Sequence, residues 1–77
     1  MQTTFMNDAS DIQWLFSTHL KNIAPTIGKP LTECRSAVVY GNEDCPEAVE
    51  LHWDKFPLAN AMPAARFVQD DNGNLSE

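Results

Sequence analysis

The sequence is poor in basic residues and lacks the motifs of several enzyme classes. Five Lys and Arg residues stand against 11 Asp and Glu residues, which gives a formal net charge of −6. Proteins hold nucleic acid mainly by neutralising phosphates with Lys and Arg, so this balance argues against direct binding to DNA or RNA. No GxGxxG, P-loop, GxSxG or HExxH pattern occurs, which leaves nucleotide-binding, hydrolase and zinc-protease functions without support.

Long hydrophobic runs are missing, and cysteine is scarce. No apolar stretch approaches the ~18 residues of a membrane span. The N-terminal segment carries Asp8 and Asp11, whereas a secretory signal would carry positive charge. Cys34 and Cys45 are too few for a disulfide-dense secreted scaffold. We therefore expect a cytoplasmic protein with no membrane partner and with two thiols, and a bridge between Cys34 and Cys45 is the alternative.

An amphipathic helix is predicted between residues 8 and 23. One face of this helix would present Ile12, Leu15, Phe16, His19, Leu20 and Ile23. These positions follow the i, i+3, i+4, i+7 spacing of a helix that packs on a core. Asp8 or Ser10 can cap the helix start, and Pro25 is expected to end the helix. Trp14 points away from the apolar face.

Three short strands are predicted after the helix. Residues 24–33 are rich in Pro and Gly and are expected to form a loop. Residues 34–40 end in Val38, Val39 and Tyr40, a composition typical of a strand. Residues 47–56 alternate between apolar and polar side chains, which favours a second strand, although the Pro46-Glu47 pair leaves a helix start as the alternative. Residues 66–68 form the third strand.

Together these elements predict an α+β fold in which one N-terminal amphipathic helix packs on a small, mainly antiparallel three-stranded sheet. The strand interpretation places Glu50, His52 and Asp54 together on the solvent face. Residues 1–77 are predicted to form a single small acidic domain, with residues 70–77 as a flexible acidic tail. A chain of this size is expected to offer a binding surface instead of a deep cleft.

The residues that could carry chemistry form no recognised motif. His19, His52, Cys34 and Cys45 could ligate zinc in principle, but the close cysteine pair typical of zinc sites is missing. Acidic neighbours surround Cys45 and disfavour its thiolate form. We therefore predict no catalytic residue, no metal and no cofactor.

Acidic residues are concentrated in the second half of the chain, and residues 36–54 contain no Lys or Arg. We predict that these acids form a protein-binding surface together with Trp14, because exposed aromatic side chains supply much of the energy at interfaces. The predicted partner-binding residues are Glu43, Asp44, Glu47, Glu50, Asp54, Asp70, Asp71 and Trp14.

The charge pattern leads to a functional hypothesis. A small acidic, non-enzymatic protein would bind and inhibit a basic nucleic-acid-binding protein, with carboxylates in the positions that phosphates normally occupy. A phage or mobile-element inhibitor of a host nuclease, polymerase or CRISPR-type complex would need these properties. The alternative is a structural or accessory subunit of a larger assembly, and a small metal or thiol enzyme is the third hypothesis. The sequence does not fix the partner or the oligomeric state.

Overall fold

A computed structural model describes residues 3–53 and 65–77, and these residues form one antiparallel sheet with a helical layer on one side. The strands are β1 Thr3–Met6, β2 Ser36–Gly41, β3 Pro46–His52, β4 Ala65–Gln69 and β5 Leu75–Ser76. They lie in the order β1-β2-β3-β4-β5, and each pairs antiparallel with the next. The predicted three-stranded sheet is therefore wrong, because the sheet has five strands.

The two additional strands lie at the two edges of the sheet. β1 precedes the helix and pairs along β2, with Thr3 opposite Tyr40 and Met6 opposite Ala37. β5 lies within residues 70–77, which were predicted to form a flexible acidic tail. Its Leu75 pairs with Gln69. The segment 47–56, for which strand and helix were the alternatives, is strand β3 up to His52. Its predicted continuation over residues 54–56 lies outside the described residues.

The predicted amphipathic helix forms, with a change of geometry halfway. α1 spans Ala9–Leu15, and a π-helical turn over Phe16–Leu20 continues it. Asp8 caps the start, because its carboxylate accepts a hydrogen bond from Ser10 N at 2.8 Å. The hydroxyl of Thr18 donates to the carbonyl oxygen of Trp14 at 2.8 Å, a local bond that competes with regular α-helical pairing where the helix widens.

Residues 24–33 contain more regular structure than the predicted loop. A short α2 spans Ala24–Ile27, with Pro25 in its first turn, and a 3-10 turn spans Leu31–Glu33. Pro25 therefore starts a helical turn instead of ending the long helix, because its fixed φ and missing N–H are tolerated in a first helical turn. The left-handed Gly28, with φ of 74°, ends α2.

The core lies between the helical layer and one face of the sheet. The helical layer contributes the five apolar residues of the predicted face, Ile12, Leu15, Phe16, Leu20 and Ile23. His19, which was predicted on the same face, is only half-buried and lies outside this core. The strands contribute Met6, Ala37, Val39, Val49, Leu51, Ala65 and Phe67. The side chains of alternate strand residues project from the opposite side of the sheet, which we call the outer face; they include Phe5, Val38, Tyr40, Glu50, Arg66 and Val68.

Candidate functional site

The turn between β2 and β3 presents the first group of carboxylates. Asn42 shapes this turn, because its side-chain oxygen accepts a hydrogen bond from Cys45 N at 2.8 Å and its carbonyl accepts from the same N–H at 3.2 Å. Glu43 and Asp44 at the turn tip are exposed. The strand register shifts after Tyr40, so that Gly41 pairs with Pro46 and Glu47 is the additional residue on β3. The bulge leaves Glu47 exposed beside the turn.

The turn between β4 and β5 presents the second group. The Asp70 carboxylate accepts hydrogen bonds from Asn72 N at 2.9 Å and from Asn74 N at 2.8 Å. The backbone N–H of Asp70 also donates to the carbonyl oxygen of Asn74 at 2.8 Å, and this hydrogen bond closes the turn. Asp70 therefore has a structural role in addition to its charge, whereas the neighbouring Asp71 is exposed at the turn.

The sheet topology brings these two groups to the same end of the molecule. Because β3 and β4 are antiparallel, the start of β3 lies beside the end of β4. The Sγ of Cys45 lies 4.0 Å from Oε1 of Gln69, which joins the two turns. We call this region the acidic end, and it comprises Glu43, Asp44, Glu47, Asp70 and Asp71.

Basic residues are scarce at the acidic end. The segments that form its two turns contain no Lys or Arg. Lys21, which follows the π-helical turn, lines a small depression together with Gly73 and Asn74 on the β5 side. Glu43 and Asp44 at the turn tip are exposed to solvent.

The remaining predicted site residues lie elsewhere. Glu50 is half-buried on the outer face, where its carboxylate accepts a hydrogen bond from the Tyr40 hydroxyl and where Arg66 is its cross-strand neighbour. This contact raises the pKa of Tyr40, because a phenolate beside the Glu50 carboxylate would be unfavourable. Trp14 lies on the solvent side of the helix, 40% exposed, with its ring edge against His19. Asp54 lies outside the described residues.

His52 is not on a solvent face, contrary to the sequence prediction. Its side chain is 5% exposed and belongs to the outer face opposite Ser36, which is fully buried. The Ser36 hydroxyl has no hydrogen-bond partner among the described residues. The alternation of β3 therefore places His52 on the same side of the sheet as Glu50, as predicted, but this side is buried at His52 instead of facing solvent.

The two cysteines do not form a disulfide in the structure. The thiol of Cys34 donates to the carbonyl oxygens of Ser36 at 3.2 Å and His52 at 3.4 Å. Burial raises the pKa of Cys34, and these two hydrogen bonds oppose the rise. Cys34 is therefore held as a thiol, whereas Cys45 is exposed at the acidic end.

A shallow groove lies at the end of the sheet opposite the acidic end. Its volume is about 630 Å³, and Asn7, Ile12, Cys34, Arg35 and Trp53 are among its lining residues. Over residues 3–53 and 65–77, no three His, Cys, Asp or Glu side chains are grouped so that they could hold a metal ion. The groove thus offers neither a metal cluster nor an activated thiol.

Searches against protein-family models, curated proteins and solved structures find no match to this chain. The helices of the described residues are all too short or too polar to cross a membrane.

Proposed function

We propose that this chain is a non-enzymatic interaction protein whose acidic end docks on a basic, nucleic-acid-binding groove of another protein and inhibits it. One observation carries the proposal. Acidic residues that lie far apart in the sequence, Glu43 to Glu47 and Asp70 to Asp71, come together at one end of the sheet on two hydrogen-bonded turns. Origin from a phage or mobile element and action on a host nuclease, polymerase or CRISPR-type complex belong to the same hypothesis, as does a cytoplasmic location.

The positions of the carboxylates suit electrostatic docking. Turns held by the Asn42 and Asp70 side chains fix the backbone, so the attached charges lose little conformational freedom on binding. A groove lined with Lys and Arg would attract such a surface from a distance, which speeds association. The partner's cations would then contact carboxylates where they normally contact phosphates.

The alternative function, a structural or accessory subunit, also has an observation in its favour. The side chains of Phe5 and Val68 on the outer face are 45% and 53% exposed, whereas the apolar side chains of the core are buried. A contact made by these residues would be largely apolar and would persist at high salt. Docking through the acidic end would weaken as salt screens the charges.

A pull-down from a host lysate with matched charge variants tests the proposal. The test variant E43K/D44K/D71K reverses three exposed charges of the acidic end and leaves Asp70, which shapes its turn, unchanged. The control D11K/E33K/E77K reverses three exposed charges elsewhere and gives the same formal net charge. Wild type and control should retain a nucleic-acid-binding protein at ~50 mM salt and release it at ~500 mM salt.

The test variant should retain none of this protein at either salt concentration. Equal capture by both triple variants would show that the acidic end is not the docking surface. A salt-resistant partner that does not bind nucleic acid would instead support the subunit function. Far-ultraviolet circular dichroism of all three proteins checks that the substitutions leave the fold intact.

A further inference from the structure

Strand β1 forms an edge of the sheet without the features that usually protect an edge. Its sequence, Thr-Thr-Phe-Met, contains no charge, no proline and no glycine. One side of β1 pairs with β2, and no other described strand pairs with its second side. Natural proteins guard such an edge with Lys, Pro, a bulge or a very short strand, because unpaired N–H and C=O groups can bind another chain.

The opposite edge of the sheet is protected in the ways that β1 is not. β5 consists of Leu75 and Ser76 alone, and the charged Glu77 follows it directly. The acidic turn with Asp70 and Asp71 precedes it. β5 thus has few backbone groups that could pair with an incoming strand, and acidic residues flank it on both sides. β1 is therefore the edge that is suited to pairing.

We propose that β1 pairs antiparallel with β1 of a second copy of this chain, so that two five-stranded sheets join into one continuous sheet. A two-fold axis perpendicular to the sheet relates the copies, which keeps both helical layers on the same side. Opposite residues of an antiparallel pair project to the same face. In the register centred on Phe5, the two Phe5 side chains therefore lie side by side on the joined outer face.

The distribution of charge favours antiparallel over parallel pairing of two copies. Each copy carries a net charge of −6, so two acidic ends in proximity would repel each other. β1 begins at the acidic end, because Thr3 pairs with Tyr40 at the end of β2. Antiparallel pairing sends the two acidic ends to opposite ends of the joined sheet, whereas parallel pairing would place them side by side. The contact itself is uncharged.

Phe5 gains most from the pairing. Its side chain is 45% exposed, and Val38 is its cross-strand neighbour on β2. The second Phe5 would cover the free side of the ring and add an aromatic pair, which stabilises antiparallel sheets. In this register Thr4, Phe5 and Met6 of each β1 are paired. Such a contact is small, so we expect a weak dimer with a dissociation constant of ~10 to 100 µM.

Sedimentation velocity of the full chain between ~5 and ~500 µM tests the pairing. Wild type should shift from monomer to dimer over this range, and Phe5→Lys should remain monomeric throughout. Val68→Lys is the matched control, because Val68 is equally exposed on the outer face but belongs to β4. This variant should dimerise like wild type. Higher salt should strengthen the dimer, since it screens repulsion between the two negative copies.

Two results would overturn the inference. Wild type could be monomeric at all concentrations, or Val68→Lys could abolish dimerisation while Phe5→Lys does not, which would place the contact at β4 instead of β1. Amide hydrogen exchange of wild type is a second measurement that needs no variant. The β1 amides that point away from β2 should exchange ~3- to 6-fold more slowly at ~500 µM than at ~5 µM, because the fraction of monomer falls by this factor for the expected dissociation constant. An unchanged rate would contradict the pairing.

Discussion

Tyr40 is the one tyrosine of the chain, so its ionisation can be followed directly by ultraviolet absorbance. The Tyr40 hydroxyl donates to the Glu50 carboxylate, and this bond raises its pKa above the ordinary value of 10.0. We predict that Glu50→Gln lowers the pKa towards that value, because the substitution removes the nearby negative charge. An identical titration curve in both proteins would mean that the contact is absent in solution.

The same contact predicts how stability depends on pH at the alkaline end. The pKa of Tyr40 is higher in the folded than in the unfolded state, so the folded state binds the proton more tightly. The stabilisation is therefore fully present below the unfolded pKa and is lost as pH rises through the folded pKa. Urea unfolding should show a smaller alkaline loss for Glu50→Gln than for wild type.

Gly41 lies at the bulge that forms part of the acidic end. Its φ is 97°, and a Cβ at this position would lie 2.9 Å from the backbone N of Glu47. We predict that Gly41→Ala costs ~3 kcal/mol of unfolding free energy from strain and close contact. Gly28→Ala is the control, since Gly28 also has positive φ but open space around it, and we expect a loss of ~1 kcal/mol. If urea denaturation gave equal losses of unfolding free energy for the two variants, the close contact between Gly41 and Glu47 would be contradicted.

At the scale of elements, substitutions in β5 test whether the chain is ordered after β4. Leu75 is 8% exposed and belongs to the core cluster, whereas the adjacent Ser76 is exposed. Leu75→Ala should lower the free energy of unfolding by ~2 kcal/mol, and Ser76→Ala should change it by less than ~0.5 kcal/mol. Thermal and urea unfolding measure both. A flexible tail would make the two variants indistinguishable.

The α1 helix and β3 were predicted from periodic patterns, whereas β2 was predicted from its composition. Ile12, Leu15 and Leu20 repeat at helical spacing, and Val49 and Leu51 alternate along β3, and all five are buried. β1 and β5 were missed because four and two residues are too short for a periodicity to stand out. Each is a strand because the neighbouring strand supplies its hydrogen bonds, which is a tertiary effect.

The helix boundaries show a similar division between local and tertiary causes. The sequence offered Asp8 or Ser10 as the cap, and the structure selects Asp8, whose carboxylate accepts a hydrogen bond from Ser10 N. The π-helical turn and the helical turn at Pro25 were not, since they depend on how the chain returns from the helix to β2. The sequence therefore indicated the existence of the helix better than its geometry.

For the molecule as a whole, the acidic charge was evident from the sequence but its arrangement was not. Glu43 and Asp71 lie at the same end of the sheet because β3 and β4 are antiparallel neighbours, and no local pattern encodes that pairing. The prediction also included Glu50 in the binding surface. In the structure Glu50 accepts a hydrogen bond from Tyr40 on the outer face, so its charge is partly engaged within the fold.

Displacement of nucleic acid from the captured partner tests the central proposal most directly. The purified partner is loaded with a fluorescently labelled nucleic acid that it binds, and release is followed by anisotropy as wild type, E43K/D44K/D71K or D11K/E33K/E77K is added. We predict that wild type and the control D11K/E33K/E77K release the nucleic acid, and that E43K/D44K/D71K requires at least ~100-fold higher concentration. Release by E43K/D44K/D71K at the wild-type concentration, or simultaneous binding of nucleic acid and wild type, would contradict the proposal that the acidic end occupies the nucleic-acid site.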